Sequence, residues 1–451
     1  MSGVSPARLV VMDVLTTVRD DDAYANLVLP VRIAEARLSP VDAGFATELC
    51  YGTLRGRGYD DRIIALAANR PVERIDANVL DVLRMGVHQL LRMRVPAHAV
   101  LDESVKLVRV VGATSAAGFV NGVLRTITRT SPEEWRERVL TGLRGDELLA
   151  AEFSHPIWIV AAFRDALAAE GRETELEELL DADNVPPRVS LVALPGLSDP
   201  ASVGEPGTVS PVAARSPGGD PAGVPEVAEG LARVQDEGSQ LAALALSRAR
   251  PIRPGERWLD LCAGPGGKAA LLAAEAALGG ATLVANELVP NRARLVERAL
   301  SIFDPAPEVV VGDGRRFGEG AARFDRILLD APCTGLGALR RRPEARWRKR
   351  REDVEELVAL QSGLLESAVR ALADGGLLAY VTCSPHLAET REVVAAALVR
   401  HPELTAVDTP AVLAPIATRD LELPAATHAQ LWPHRHETDA MFIQLLAKVA
   451  T

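Results

Sequence analysis

Lysine is nearly absent from this chain of 451 residues: Lys106, Lys268, Lys349 and Lys448 are the four it has. Arginine carries the positive charge instead, a bias that GC-rich coding explains without invoking function, so each lysine can be weighed singly. Cysteine is as scarce. Cys50, Cys262, Cys333 and Cys383 are too few and too scattered for a disulfide scaffold. None forms the Cys-x-x-Cys pair of a structural zinc site. No apolar run is long enough to span a bilayer. The first residues lack the basic stretch and apolar stretch of a secretory leader, so a cytoplasmic location is expected. Positive charge also falls short of negative. The formal net charge of −11 argues, as a sum, against a polyanionic partner.

What is present points to a folded chain of two or three domains, with 48% hydrophobic and 25% charged residues. The basic residues are also unevenly placed. Arg340, Arg341, Arg342, Arg346, Arg348, Lys349, Arg350 and Arg351 form a dense run broken chiefly by Pro343 and Glu344. Such a run is either a solvated face or a phosphate contact, and its place after a candidate site motif favours phosphate. Trp347 within it is set either to stack on a base or to pack beneath the loop.

Residues 1–130 read as helical. Ser39-Pro40 followed by Asp42 is a helix start, with a capping hydroxyl, proline in the first turn and an acid near the positive end of the dipole. Phe45 and Leu49 then share a face. Val79, Leu80, Leu83, Val87, Leu90 and Leu91 form an apolar stripe at helical spacing, stopped by Pro96. A further helix is expected over 100–111, ending near Gly112. Residues 131–235 connect this region to the rest. A helical pattern covers 158–180, an alternating strand 188–194 and a short strand 231–235. Between them, 196–230 is rich in Pro, Gly, Ser and Ala, and reads as a mobile insertion. Asp236 and Ser239 are candidate caps for a helix ending near Arg250.

From 236 to 451 strands and helices alternate, the pattern of a parallel sheet covered on both faces. Strands are expected over 257–261, 282–286, 308–311, 324–329 and 377–382, and a final hairpin near 430–446. Between the first strand and an Ala/Leu-rich helix stands Asp260-Leu261-Cys262-Ala263-Gly264-Pro265-Gly266-Gly267-Lys268. Glycines there allow a tight turn and close approach of a ligand to the backbone. By itself the turn suits a dinucleotide or S-adenosylmethionine. Glu287, about 20 residues on, ends the next strand, where an acid accepts bonds from ribose hydroxyls. Asp313 follows the third strand and is a candidate for an adenine amino group. Ala269 after Lys268 breaks the nucleotide-triphosphate pattern GxxxxGK[ST], and the GxGxxG register is missing, which puts nicotinamide second.

Two further motifs bear on reaction class. Asp330-Ala331-Pro332-Cys333-Thr334-Gly335-Leu336-Gly337 ends the fourth strand, and Thr382-Cys383-Ser384-Pro385 ends a later one. One such cysteine is more often a small core residue than a nucleophile. Two at the ligand-binding edge reverse that expectation. Carbon 5 of cytosine is too poor a nucleophile to take a methyl group unaided, and a thiolate adding at carbon 6 makes it an enamine. Asp330 is placed to hydrogen-bond N3 and the amino group. Lys268 or the basic run would favour the thiolate. Chemistry alone leaves open which thiol attacks.

The segment LRMGVHQLLRMRVPAHAVLDESVKLVRVVG with GFVNGVLRTI resembles the NusB-like antitermination domain over residues 5–128, including the Pro96-x-His98 turn and Phe119-Val120-Asn121. That implies a helical bundle that binds RNA or serves for docking. The Pro332-Cys333 pair is similar to the nucleophile of DNA cytosine methyltransferases, whereas the RNA cytosine-C5 methyltransferases carry both motifs. With the helical domain, the chain resembles the bacterial Sun/RsmB-type small-subunit ribosomal RNA methyltransferases. The resemblance implies attack by Cys383, release assisted by Cys333, and a cofactor site formed by Cys262, Ala263, Gly264, Pro265, Gly266, Gly267, Lys268, Glu287, Asp313 and Asp330. Ribosomal RNA is then the partner and S-adenosylmethionine the cofactor, with no metal and a monomer expected. Gly264 replaces the family's usual alanine, a change expected to be harmless in a turn. Pro433-His434-Arg435-His436 matches, while Ala440-Met441-Phe442 replaces Gly-Phe-Phe in the hairpin. His434, His436 and Asp439 lack the logic of an open metal site. An RNA-binding assembly factor with a vestigial catalytic domain is the alternative, which the intact turn, acids and cysteines oppose. A protein-amide methyltransferase needs no thiol, and its Asn-Pro-Pro-aromatic signature is missing.

Overall fold

The computed structural model describes residues 3–321 and 323–449. They form two compact units, one of the described residues up to Ala161 with Leu339–Arg348 and the other of those from Ala162 to Ala338 and from Lys349 onward. The expected boundaries near 130 and 235 fall within the first and second unit respectively.

The first unit is helical, with principal helices Pro6–Asp20, Ala25–Glu35, Pro40–Ala68, Ala77–Leu91, Ala97–Val110 and Ala117–Thr128. The expected cap forms: Ser39 Oγ accepts the Asp42 N–H at 3.2 Å. The Asp76 carboxylate does the same for Asn78 and Val79 at the next helix. That helix ends at Leu91, ahead of Pro96, so the proline follows the stop and does not cause it. Val79, Leu80, Leu83 and Val87 are buried along its stripe, and each such side chain contributes about 1.5–3 kcal/mol. Gly86 permits close packing there, since a Cβ would lie 2.7 Å from Leu124.

The segment Leu339–Arg348 corrects the expectation of a phosphate-facing run. Arg346 is fully buried and donates to the carbonyls of Arg55 and Ser154 at 3.4 and 3.2 Å. Arg348 donates to the carbonyls of Val18 and Ala23 and pairs with Asp22. Arg342 and Arg348 both lie 5.1 Å from the Tyr24 ring centre. Arg340 is buried, and so is most of Arg341. Trp347 packs on Gly58, where a Cβ would come within 2.5 Å, and beneath the Arg57 guanidinium. Guanidinium groups with buried carbonyl partners are internal struts. Of the run, Arg350 and Arg351 are exposed and Lys349 half-buried.

The expected helix over 158–180 is divided into Ile157–Ala168 and Leu176–Ala182 by a turn containing Gly171, at φ +70°. A small sheet follows, made of β1 (Ser190–Ala193), β2 (Glu205–Pro206), β3 (Ala213–Arg215) and β4 (Ala232–Val234) in the order β2-β3-β1-β4. The expected mobile insertion, 196–230, is therefore structured. It supplies two of these strands and buries Val203, Val209, Val212, Ala213, Ala214 and Val224. Composition misled because the segment's valines, few as they are, mostly face inward, and because backbone pairing does not depend on hydrophobicity. The Glu237 carboxylate anchors it by accepting the N–H groups of Thr208, Val209 and Ser210 at 2.7–2.9 Å.

The large sheet comprises β5 (Arg257–Asp260), β6 (Thr282–Glu287), β7 (Glu308–Val311), β8 (Phe324–Asp330), β9 (Leu372–Thr382), β10 (Leu404–Ala406) and β12 (Met441–Lys448), ordered β10-β12-β9-β8-β5-β6-β7, with β11 (Ala429–Leu431) also pairing β12. The strands β5 to β9 are mutually parallel, whereas β12 is antiparallel to β9 and β10. Alternate residues face opposite layers. Trp258, Leu328, Ala379 and Ile443 meet the helices Glu237–Arg248 and Gly267–Gly279. Leu259, Ile327, Leu329, Leu378 and Tyr380 meet the helix Asp353–Ala371. All five parallel strands thus deliver their carboxyl ends, and the motifs that follow, to one edge.

Candidate active site

Across that edge, in the order β9, β8, β5, β6, β7, lie Cys383, Asp330 with Cys333, Asp260 with the glycine turn, Glu287 and Asp313. The two cysteine loops are joined by backbone. Ala331 N–H donates to the Val381 carbonyl, Gly337 N–H to the Cys383 carbonyl, and Ala440 N–H to the Gly337 carbonyl, all at 2.8–2.9 Å. Gly337 is required for this, because a Cβ would stand 1.9 Å from the Ala440 oxygen. Ala440, Met441 and Phe442 are all buried, so the replaced hairpin triplet packs normally.

Cys333 Sγ and Cys383 Sγ are 3.4 Å apart. The hydrogen bond from Cys333, then the charge of Lys268, holds the Cys383 thiol below its usual range against the opposing effects of burial and Asp330. Cys333 is driven the other way by the same hydrogen bond, by burial, and by the charges of Cys383 and Glu389. Cys383 is thus the sulfur that ionises first. Lys268 Nζ donates to Asp330 Oδ2 at 2.8 Å. Burial would lower the Lys268 ammonium, but Asp330 and Cys383 raise it, so the positive charge persists beside the thiols. Cys262 is half-buried, and burial followed by the charges of Asp260 and Asp330 pushes its thiol well up, which makes it inert.

The turn itself explains its glycines. Gly266 has φ +105°, and a Cβ there would meet Ala299 Cβ at 2.6 Å and Val296 Cα at 3.2 Å, so the turn presses against the helix Pro290–Leu300. The N–H of Gly264 donates to Glu287 Oε2 at 3.0 Å, and that of Val289 to Oε1 at 3.0 Å. Gly264 is therefore less neutral than expected: an added Cβ would sit 2.1 Å from Glu287 Oε2. Asp313 caps the short turn Gly314–Glu319 and is bound by the Arg315 guanidinium, which holds its carboxyl low.

Several polar groups on this edge are buried without a protein partner, the mark of a ligand site. The Gln235 amide is one, with its carbons and nitrogen 3.7–4.0 Å from where a Gly267 Cβ would be. Asn286 Oδ1 is another. Asp260, buried and beside the Asp330 charge, is pushed up to about 8, while Lys268 and the Cys262 N–H draw it down. A glycine-lined helix start, orphaned polar groups and acids on successive strands fit S-adenosylmethionine, with its amino-acid, sulfonium and ribose parts.

Sequence reasoning assigns no role to Gln235, Asp260, Thr334, Gln361 or Glu389. Glu389 lies near a short turn, where a lone acid reads as a helix cap, and Gln235 precedes the capping Asp236. For Asp260 the available signal is its place at the end of β5. Among the described residues no cluster of His, Cys, Asp and Glu is arranged to hold a metal ion, and no helix is long and apolar enough to cross a membrane.

Sheet order, donor turn and acid series together define an S-adenosylmethionine-dependent methyltransferase carrying a NusB-like helical region. Residues 249–447 match the family described as 16S rRNA methyltransferase RsmB/F, and residues 5–129 match the NusB family. The chain is 33% identical to ribosomal RNA small subunit methyltransferase B of Pseudomonas putida, over 88% of this chain and 89% of that one. It is 46% identical to the Mycobacterium tuberculosis protein Rv1407, named as a methyltransferase, over 99% and 97% of the two chains. The crystal structure of PH0851 shares the fold, at 22% identity, 99% coverage of both chains and a TM-score of 0.78. The chain belongs to the family of S-adenosylmethionine-dependent small-subunit ribosomal RNA methyltransferases typified by methyltransferase B.

Proposed function

We propose that the enzyme methylates carbon 5 of a cytosine in 16S ribosomal RNA, with Cys383 attacking and Cys333 assisting release. The observation that carries this reading is the 3.4 Å approach of two unlike thiols at the methyl-donor edge. The Gly264–Lys268 turn holds the amino-acid end of the donor, Glu287 the ribose and Asp313 the adenine. S-adenosylmethionine supplies an electrophilic methyl group there.

The target cytosine is unstacked to reach the edge. The Cys383 thiolate adds to carbon 6, and the electron pair displaced from the ring double bond gathers at carbon 5. N3 takes up a proton from solvent as the adduct forms and returns it on release, and Asp330, a carboxylate held by Lys268, accepts that N3–H and the amino N–H. The carbon 5 electron pair would take the methyl group, the sulfur–methyl bond of the donor breaking with its electrons left on sulfur as a neutral thioether. A base removes the carbon 5 proton, its electron pair restores the double bond, and the Cys383 sulfur leaves. The Cys333 S–H that favours the Cys383 thiolate as nucleophile favours it equally as leaving group. Arg350 and Arg351 are the exposed members of the basic run suited to RNA phosphates.

Methylation of small-subunit RNA is expected to vanish in Cys383→Ala. Cys333→Ala is expected to accumulate a covalent protein–RNA adduct, visible as a retarded band on a denaturing gel. Bisulfite mapping of ribosomal RNA from cells with and without the protein locates the base. Full activity in Cys383→Ala would falsify the assignment.

A further inference from the structure

Between the two cysteine loops lies a carboxylate that the mechanism above does not use. Glu389 is fully buried. Its Oε1 accepts the Thr334 N–H at 2.7 Å and the Gln361 amide at 3.2 Å. Its Oε2 accepts the hydroxyls of Thr334 at 2.5 Å and Ser384 at 2.7 Å. Its own carbonyl accepts the Tyr380 hydroxyl at 2.7 Å, and Gln361 also donates to the Pro332 carbonyl at 2.9 Å. Thr334 follows Cys333, and Ser384 follows Cys383. One side chain therefore grips the neighbour of each thiol.

We propose that Glu389 is a positioning residue for the thiol pair, tying the Cys333 loop to the Cys383 loop and keeping their chemical roles distinct. Four donors on two oxygens fit an ionised carboxylate, which is acceptor-only. A neutral acid would bring a fifth hydrogen into the cluster. Buried charge-assisted bonds of this kind fix geometry more strongly than neutral ones. The charge also acts unequally. It raises the Cys333 thiol, and it does not figure among the main influences on Cys383. Removing it would let Cys333 ionise more readily, and the two sulfurs would then compete for the single proton between them. The inference rests on the two-thiol reading of the reaction.

The test is the pH dependence of alkylation by iodoacetamide at each cysteine, read by peptide mass spectrometry in the full-length protein. In Glu389→Gln the amide removes the charge and turns one acceptor into a donor. The midpoint for Cys333 is expected to fall and that for Cys383 to move less, with turnover reduced at least tenfold. Because that variant disturbs a buried cluster, Ser384→Ala is the companion. It removes one donor from the carboxylate, leaves its charge less compensated, and should move the Cys333 midpoint upward. Opposite shifts are not produced by mere loosening of the loops. A Cys333 profile unchanged in both variants, or displaced in the same direction in both, would overturn the proposal. Methyl transfer by Cys383→Ala is measured alongside: retained activity would sink the two-thiol reaction, whereas the alkylation profiles judge Glu389 alone.

Discussion

Lys268, at the start of one helix, donates to Asp330, at the end of a neighbouring strand, over 2.8 Å. The lysine thereby serves two anions, since its charge also lowers the Cys383 thiol. Lys268→Met should move the acid limb of the activity profile to higher pH and cut turnover at neutral pH on the order of tenfold to a hundredfold. Steady-state rates from pH 6 to 9 check this. An unmoved limb would exclude the lysine from thiolate formation.

Asp260 gives a stability prediction. Its folded value, about 8, lies above the ordinary 3.8, so the folded state holds a proton that the unfolded state releases at neutral pH. Its favourable contribution is complete below about pH 4 and is lost as pH rises through 8. Asp260→Asn keeps the neutral form at every pH. Thermal melts of the ligand-free protein should show the variant gaining on the parent between pH 5 and 9.

The two glycines of the turn should respond differently to alanine. Gly266→Ala combines a left-handed backbone with a clash against the next helix, and is expected to cost about 2 kcal/mol or more. It should also abolish cofactor binding in calorimetry. Gly264→Ala meets the far end of the Glu287 side chain, and should cost about 1 kcal/mol, one hydrogen bond.

The basic run should divide in two. Arg346→Ala removes a buried guanidinium and is expected to destabilise the helical unit by about 2–3 kcal/mol. Replacing Arg350 and Arg351 together should leave the melting temperature unchanged. It should reduce the slope of log affinity for RNA against log salt by about 1 for each phosphate no longer neutralised. Filter binding at several salt concentrations separates the outcomes.

The parallel strands were legible because their ends carry chemistry as well as pattern. The expected bounds 308–311 are those of β7, and 282–286 and 324–329 each fall one residue short. The strand β9 starts five residues before 377, because Asp374-Gly375-Gly376 interrupts the apolar run without interrupting the strand. The two motif cysteines were brought together as expected, and their separation came only with the structure. Less legible were residues whose meaning depends on distant partners. Nothing near Glu389 reveals that Thr334, 55 positions away, donates to it twice. Nothing near Arg346 reveals the carbonyl of Arg55. A guanidinium looks the same in a sequence whether it faces phosphate or a buried peptide.

The segment 196–230 has a bearing on how this chain can be edited. Its composition invites excision as a dispensable loop. Removing it would take away β3, the neighbour on one side of β1, together with β2 beyond it, and leave Ser190–Ala193 with an open row of backbone donors and acceptors. Such an edge recruits strands from other molecules. Shortening the protein there would trade a closed flank for a seed of self-association, without altering any residue that touches the reaction.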